Sequence, residues 1–396
     1  MGGKKMKKIF FFLLFFSWGM TVFALENSSQ DNSLEEKNKL ELAPSARSAI
    51  LFEADSGEVL YEKNADEKLA MASMTKMMTL LLIMEEIEKG NLKWDEMVTA
   101  SEYAASMGGS QIFLEVGEQM SVEDLVKGIC IASGNDASVA MAEKIAGTEE
   151  KFVSLMNERA KKLQLTNTHF ANACGLDSDD HYSSARDMGL IAKELVKHSA
   201  ILKYTSTYED YLRKGTDKSF WLVNTNKLVR YYQGVDGLKT GYTKNAGYCI
   251  TTTAERNHLR FITVVMGEPT SSVRNREVTT MLDYGFNRYQ KKKIFLKNDV
   301  LGEGKVLLGK KSTVKVVPME DAFVLENKDE GKKDIRYEVK LSSLKAPLRV
   351  GDVVGEVSLK EDGKVFQKIS LTVQEEVPKI GFFLAYCQEW LSMLKG

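Results

Sequence analysis

Two short apolar runs, Ala49–Glu53 and Glu58–Lys63, are joined by Asp55-Ser56-Gly57, and together they predict a strand hairpin. From Ser73 the period lengthens. Met77, Leu80, Leu81, Met84 and Ile87 recur at three- and four-residue spacing, which predicts an amphipathic helix ending at Gly90. Ser121-Val122-Glu123-Asp124 reads as a capping box that opens a second helix, Val122 to about Ile131. Asp136–Ala146, closed by Gly147, is a third, and Lys151–Leu163 a fourth. Ser184-Ala185-Arg186-Asp187 opens a fifth, running to about Lys197. Strands return at Tyr248–Ala254 and Leu259–Gly267, and Val278–Tyr289 is helical again. Strands, a helical middle and strands once more predict an α+β domain, a sheet with helices packed on it.

The pattern changes at both ends. From Lys291 the chain breaks into short alternating runs: Val314–Val317, Ala322–Leu325, Ile335–Leu341, Val353–Leu359 and Val365–Val373. Asp362-Gly363 between the last two is a hairpin signal, so residues 291–376 read as a small all-β sandwich domain. In 377–396, Ile380, Phe383, Leu384, Cys387, Leu391 and Leu394 fall on one helical face with Trp390 beside it. That is the pattern of an amphipathic helix lying in a membrane surface, with a helix docked on its own domain as the alternative. At the other end, Lys4, Lys5, Lys7 and Lys8 precede the apolar run Ile9–Ala24. The run is short for a span of about 20 residues. A basic head and the small-residue end Val22-Phe23-Ala24 read as a signal peptide, 1–24, cut after Ala24; an uncleaved anchor is the alternative. Residues 25–44 are polar, without an aromatic, and read as a flexible leader to the main domain, 45–290.

Composition narrows the function classes. A net charge of −1 argues against a nucleic-acid binder, which would show a basic excess. With 28% charged residues and 5 prolines, the chain is neither collagenous nor broadly disordered. Cys130, Cys174, Cys249 and Cys387 form no C-x-x-C pair, so a zinc knuckle or disulfide scaffold does not fit. His169, His181, His198 and His258 form no H-E-x-x-H.

The candidate chemistry lies in three triplets. Ser73-Met74-Thr75-Lys76 is an S-x-x-K at a helix start, where residues three apart share a face. A serine is a weak nucleophile until a neighbouring base takes its proton, and a lysine with a lowered pKa can do so. Three other S-x-x-K quartets, at Ser312, Ser342 and Ser392, occur in a β run, a loop and the terminal helix, so only Ser73 has a suitable setting. Ser133-Gly134-Asn135 falls between two helices, where a hydroxyl and an amide can face one cleft; a plain helix cap is the alternative. Lys239-Thr240-Gly241 leads into a strand. It offers a fixed positive charge, a hydroxyl, and a glycine that lets a ligand approach the strand edge; a β-turn with an exposed lysine is the alternative.

The ordered set S-x-x-K, S-x-N, K-T-G resembles penicillin-binding proteins and class A β-lactamases. Ser-Gly-Asn in the second place resembles the low-molecular-mass penicillin-binding proteins, the serine-type D-alanyl-D-alanine carboxypeptidases. The likeness extends to Ala72–Lys76, Ile131–Ala137, His181–Asp187, Val235–Thr243 and Val264–Gly267, and covers roughly residues 45–290. It implies a β-lactamase/transpeptidase-like α+β domain with an antiparallel sheet, followed by the β sandwich and the membrane-associated helix. It implies that Ser73 attacks the penultimate D-alanine carbonyl of a peptidoglycan stem peptide, with Lys76 as base and Ser133 as proton shuttle. It implies that Asn135 lines the cleft and that Lys239 and Thr240 bind the terminal carboxylate, with Gly241 beside them. The N–H groups of Ser73 and Tyr242 would form the oxyanion hole, and Arg276 would stand near the carboxylate. No metal or cofactor is implied, β-lactams would acylate Ser73, and the protein would work on the outer face of the cytoplasmic membrane. Two positions depart from the family pattern: Asn172-Ala173-Cys174-Gly175 replaces Asn-Pro-x-Gly, and Tyr242 stands where some relatives have histidine. A β-lactamase is a rival, but Asn167–Asn172 carries no deacylating acid. A transpeptidase and a non-catalytic wall-binding or spore-structural relative are the others.

Overall fold

The computed structural model describes residues 40–330 and 334–381. The expected signal peptide, residues 25–39 of the leader, and residues 382–396 of the terminal helix with Cys387 lie outside the described residues.

Strands β1 (Ser48–Glu53) and β2 (Val59–Lys63) form the predicted hairpin. The next element is a tight 3-10 turn, Ala72–Thr75, and only then helix α1 (Lys76–Glu88). Lys76 to Met84 are all buried, so α1 is a central helix with no wet face over that stretch, not the amphipathic one expected. Around it pack α2 (Asn135–Ala146), α3 (Glu149–Lys162) and α4 (Ala185–Leu195). The expected helix Val122–Ile131 is α-helical only to Lys127, and Gly128–Ala132 widens into a π turn.

After a hairpin of β3 (Glu209–Leu212) and β4 (Phe220–Val223), three long antiparallel strands follow: β5 (Val235–Thr243), β6 (Gly247–Arg256) and β7 (Leu259–Glu268). Their sheet has the order β2-β1-β7-β6-β5, with Ile50 opposite Val264 and Lys239 opposite Thr251. Alternation along β1 sends Ile50 and Phe52 to the helical side and Ala49 and Leu51 to the other. That second side is covered by α5 (Ser271–Arg288), which Thr270 caps by accepting from Val273 N. Helix α5 begins seven residues before the expected Val278.

The β-rich domain starts directly at Tyr289. A two-stranded ribbon, Tyr289–Phe295 with Ala322–Asn327, shares a core with a six-stranded sheet through Phe295, Ala322, Val316, Val357 and Leu371. Asp362 and Gly363 both take positive φ, 50° and 80°, as a two-residue hairpin turn requires. Residues 377–380, expected to begin a helix, are instead extended. Val377 bridges Leu348, Pro378 accepts from Lys310 N, and Ile380 N donates to Leu308 O. These backbone groups are already spent on the β domain, and Pro378 has no N–H to offer a helix.

Candidate active site

Ser73 stands in the turn before α1, half-buried, and the residue preceding it, Ala72, takes a left-handed φ of 47°. The turn is pressed between two segments. On one side is β5: a Cβ on Gly241 would lie 2.8 Å from Met71 O and 3.2 Å from Ser73 N. Gly241 therefore makes room for the nucleophile turn itself. On the other side is Gly175, at φ +92°, where a Cβ would lie 2.0 Å from Ala72 O.

Lys76 is completely buried. Its Nζ lies 2.9 Å from Ser73 Oγ, 2.7 Å from Asn135 Oδ1 and 2.6 Å from Cys174 O. Burial brings its pKa down to about 8. Asn135 is itself anchored, with Nδ2 donating to Gly108 O at 2.7 Å and its N–H to Ser110 O at 2.7 Å. Its amide oxygen is thus held by Lys76 and one of its amide N–H groups by Gly108 O. Ser133 follows the π turn at φ 64°, ψ 33°, and its buried Oγ has no hydrogen-bond partner among the described residues.

Lys239 is also completely buried, and its Nζ donates to Thr240 O at 3.0 Å. Burial, then the Lys76 charge, hold its pKa well below the usual lysine value. Thr240 Oγ1 donates to Thr225 Oγ1 at 2.8 Å. Tyr242 is 57% exposed, its ring against Tyr248. Ser73, Lys76 and Asn135 are thus joined directly, and β5 brings Gly241 against the same turn.

Arg276 does not fit the expectation: it lies on the exposed side of α5. Arg274 is the buried one, with Nη1 3.4 Å from Cys249 O and its charge felt at Lys239. Reading Thr270 as the helix cap would have found it, since Arg274, Val278 and Met281 then share the buried face. Sequence reasoning also missed the Cys174 carbonyl, because a backbone acceptor leaves no residue-type signal.

A Ser73–His181–Asp187 triad is absent. Asp187 Oδ2 accepts from Asn167 N and Thr168 Oγ1, and His181 bonds Thr75 and Ala171. Ser184 caps α4, but Asp187 does not close the reciprocal box, its carboxylate being occupied by that loop. Burial pushes the thiols of Cys130 and Cys249 up to about 12 and about 11, which suits inert core residues.

A family model described as D-alanyl-D-alanine carboxypeptidase matches residues 35–270, and one described as penicillin-binding protein 5, C-terminal domain, matches 289–379. The chain is 50% identical over 347 residues to D-alanyl-D-alanine carboxypeptidase DacF of Bacillus subtilis (strain 168), covering 87% of this chain and 89% of that one. It is 36% identical over 380 residues to DacC of Escherichia coli (strain K12), covering 93% and 90%. Of solved structures, penicillin binding protein 5 from Haemophilus influenzae superposes with a TM-score of 0.67 at 33% identity, over 85% of this chain and 98% of that one. Penicillin-binding protein D2 from Listeria monocytogenes, in its cefotaxime-bound form, superposes with 0.56 at 34% identity, over 61% and 98%. A serine and a buried lysine in contact, in a chain so similar along its length to these proteins, identify it as a member of the peptidase S11 family of D-alanyl-D-alanine carboxypeptidases, the low-molecular-mass penicillin-binding proteins.

Proposed function

We propose that this chain removes the terminal D-alanine from peptidoglycan stem peptides through an acyl-enzyme on Ser73, and that β-lactams acylate the same oxygen. One observation carries the mechanism: the three neighbours of Lys76 Nζ. A neutral amine has two N–H groups and one lone pair. Asn135 Oδ1 and the Cys174 carbonyl can only accept, so they take the two N–H groups. The lone pair is left facing Ser73 Oγ at 2.9 Å, where it can take the hydroxyl proton as the oxygen attacks.

Attack on the penultimate carbonyl forms the Ser73 ester bond, and the C–N bond to the last residue breaks. Ser133, its buried hydroxyl without a partner among the described residues, passes a proton to the departing amine. Water then cleaves the ester. Lys239, with Arg274 behind it, supplies the positive charge for the substrate carboxylate, and Thr240 turns its hydroxyl from Thr225 toward it. The anion also offsets the mutual repulsion of Lys76 and Lys239. Asn135 orients Lys76 and offers its remaining N–H to the substrate. The N–H groups of Ser73 and Tyr242 receive the oxyanion.

The basic head and apolar run before Ala24 support export to the outside of the cytoplasmic membrane, in the cell envelope, and the apolar spacing in 377–396 supports association with the membrane surface. No helix among the described residues is long and apolar enough to cross a membrane.

The test is D-alanine release from a peptide ending Lys-D-Ala-D-Ala, beside a Ser73→Ala control. Release by the wild type that vanishes in the control is expected; absence of release from folded wild type contradicts the proposal. Adding a free amine acceptor separates hydrolysis from transpeptidation, and turnover of a penicillin would mark a β-lactamase.

A further inference from the structure

His181 is buried between two segments of the site, and its hydrogen bonds fix its tautomer. Nδ1 accepts the Ala171 N–H at 2.9 Å, so that nitrogen carries no proton. The proton of the neutral ring is on Nε2, which donates to Thr75 Oγ1 at 2.7 Å. Thr75 Oγ1 in turn donates its own proton to Ala72 O at 2.8 Å. The oxygen caught in this way belongs to the Ala72–Ser73 peptide group, whose other end is the Ser73 N–H. A trans peptide is planar, with C=O and N–H pointing in opposite directions, so holding the oxygen sets where the N–H aims. Ala72 needs holding, because a φ of 47° is unfavourable for a residue with a Cβ. The same ring ties down Ala171, at the start of the segment that presents Cys174 O to Lys76 and Gly175 to the Ala72 carbonyl.

We propose that His181 is a positioning residue for the acyl transfer: through Thr75 it aims the Ser73 N–H at the oxyanion, and through Ala171 it holds the segment that orients Lys76. This rests on the reading of Ser73 as nucleophile and of its N–H as an oxyanion donor. The ring works as a neutral relay and never as the base, since burial brings its pKa down to about 4. Bonds in such a chain polarise one another, so the Ser73 N–H meets the oxyanion as a stronger donor than an unassisted amide.

Three variants of the full chain test this. Thr75→Val keeps the shape and removes the hydroxyl. His181→Leu removes both ring bonds. His181→Gln restores one acceptor for Ala171 and one donor for Thr75. Acylation by a fluorescent penicillin is resolved into the non-covalent dissociation constant and the first-order acylation rate. Difference infrared then reads the ester carbonyl of each acyl-enzyme. Losing a whole oxyanion donor costs roughly 10²–10³ in rate, so misaiming one should cost about 10–100-fold. Thr75→Val and His181→Leu should show that loss, with the dissociation constant changed less than about threefold and the ester carbonyl moved to higher wavenumber. His181→Gln should recover most of the rate.

Folded Thr75→Val with wild-type acylation and an unmoved carbonyl would overturn the relay, as would equal losses in the Gln and Leu variants. If His181→Leu fails to fold, Thr75→Val alone decides. A wild type that takes no label on Ser73 would overturn the nucleophile reading and this one with it, whereas a labelled wild type beside unchanged variants removes this one alone.

Discussion

Lys76 is enclosed by protein, and burial, working against the attraction of nearby charges, brings its pKa down to about 8. At pH 7 only about a tenth of such lysines are neutral; at pH 9 about nine-tenths are. The first-order acylation rate constant, taken at saturating β-lactam so that loss of charge on Lys239 falls on binding, should therefore rise about tenfold from pH 7 to pH 9, and a flat or falling profile of that constant would contradict Lys76 as base. Lys76→Arg keeps the charge but cannot give up its proton, so it should lose about 10²–10⁴ in acylation rate. Glu268, at the end of β7, makes a separate prediction. Burial and the neighbouring Glu277 carboxylate push its pKa up from 4.5 to about 8. A carboxyl whose folded pKa lies above its unfolded one favours the fold while protonated. That contribution is complete below pH 4.5 and is lost as pH rises through about 8. Glu268→Gln, neutral throughout, should melt close to the wild type at pH 5 and clearly above it at pH 9; a difference independent of pH would count against this. Of these residues, Ser73, Lys76, Ser133, Asn135 and Lys239 stand out in the sequence by their motifs. Arg274 and Thr75 do not, because their placement follows from a helix face and from a hydroxyl's partner.

Among the elements, two helices announced themselves through the caps Ser121 and Ser184; Thr148 and Thr270 likewise each accept from the N–H three residues on, but no apolar period marks them out, so the start of α5 is read seven residues late. Strand β5 did not. Gly237, Lys239 and Gly241 have poor strand propensity, and the ladder to β6 holds them extended. The first β-domain strand was hidden by Lys291-Lys292-Lys293, and the second, Gly302–Leu307, by its glycines. The apolar spacing makes the nucleophile turn the first turn of α1. It is a separate 3-10 turn because β5 and the Gly175 segment press on its backbone from both sides. Gly175→Ala tests that contact. A methyl 2.0 Å from Ala72 O cannot be housed, and φ +92° is itself costly for alanine. The variant should lose about 1–3 kcal/mol of stability by denaturant titration, and at least tenfold in acylation rate. Unchanged acylation would show that the turn does not depend on this packing.

At the scale of the molecule, the catalytic and β-rich domains share an ion pair as well as a chain crossing. Lys291, 8% exposed, lies 3.2 Å from Glu53 Oε1, and it also meets Asp55. Glu53 is 1% exposed, and its other oxygen accepts from Ser56 N and Oγ, each at 2.7 Å. Removing the lysine leaves a buried carboxylate short of its cation, a loss of about 3–5 kcal/mol for a fully buried pair. Lys291→Ala should therefore lower the melting temperature by several degrees, and Lys291→Met with Glu53→Gln should recover most of it. Equal melting of Lys291→Ala and wild type would show the pair to be dispensable. This junction was not legible beforehand, because nothing in a lysine run tells which of its members folds back onto a hairpin far away in sequence.

On the proposed mechanism Ser73 Oγ, deprotonated by Lys76, forms the covalent intermediate. That intermediate is read by the intact mass of the protein after brief exposure to benzylpenicillin, followed by peptide mapping of the adduct. A single added penicilloyl mass on Ser73, absent from Ser73→Ala and slowed at least a hundredfold in Lys76→Arg, is the predicted result. An adduct on any other residue, or undiminished labelling of Lys76→Arg, would contradict it.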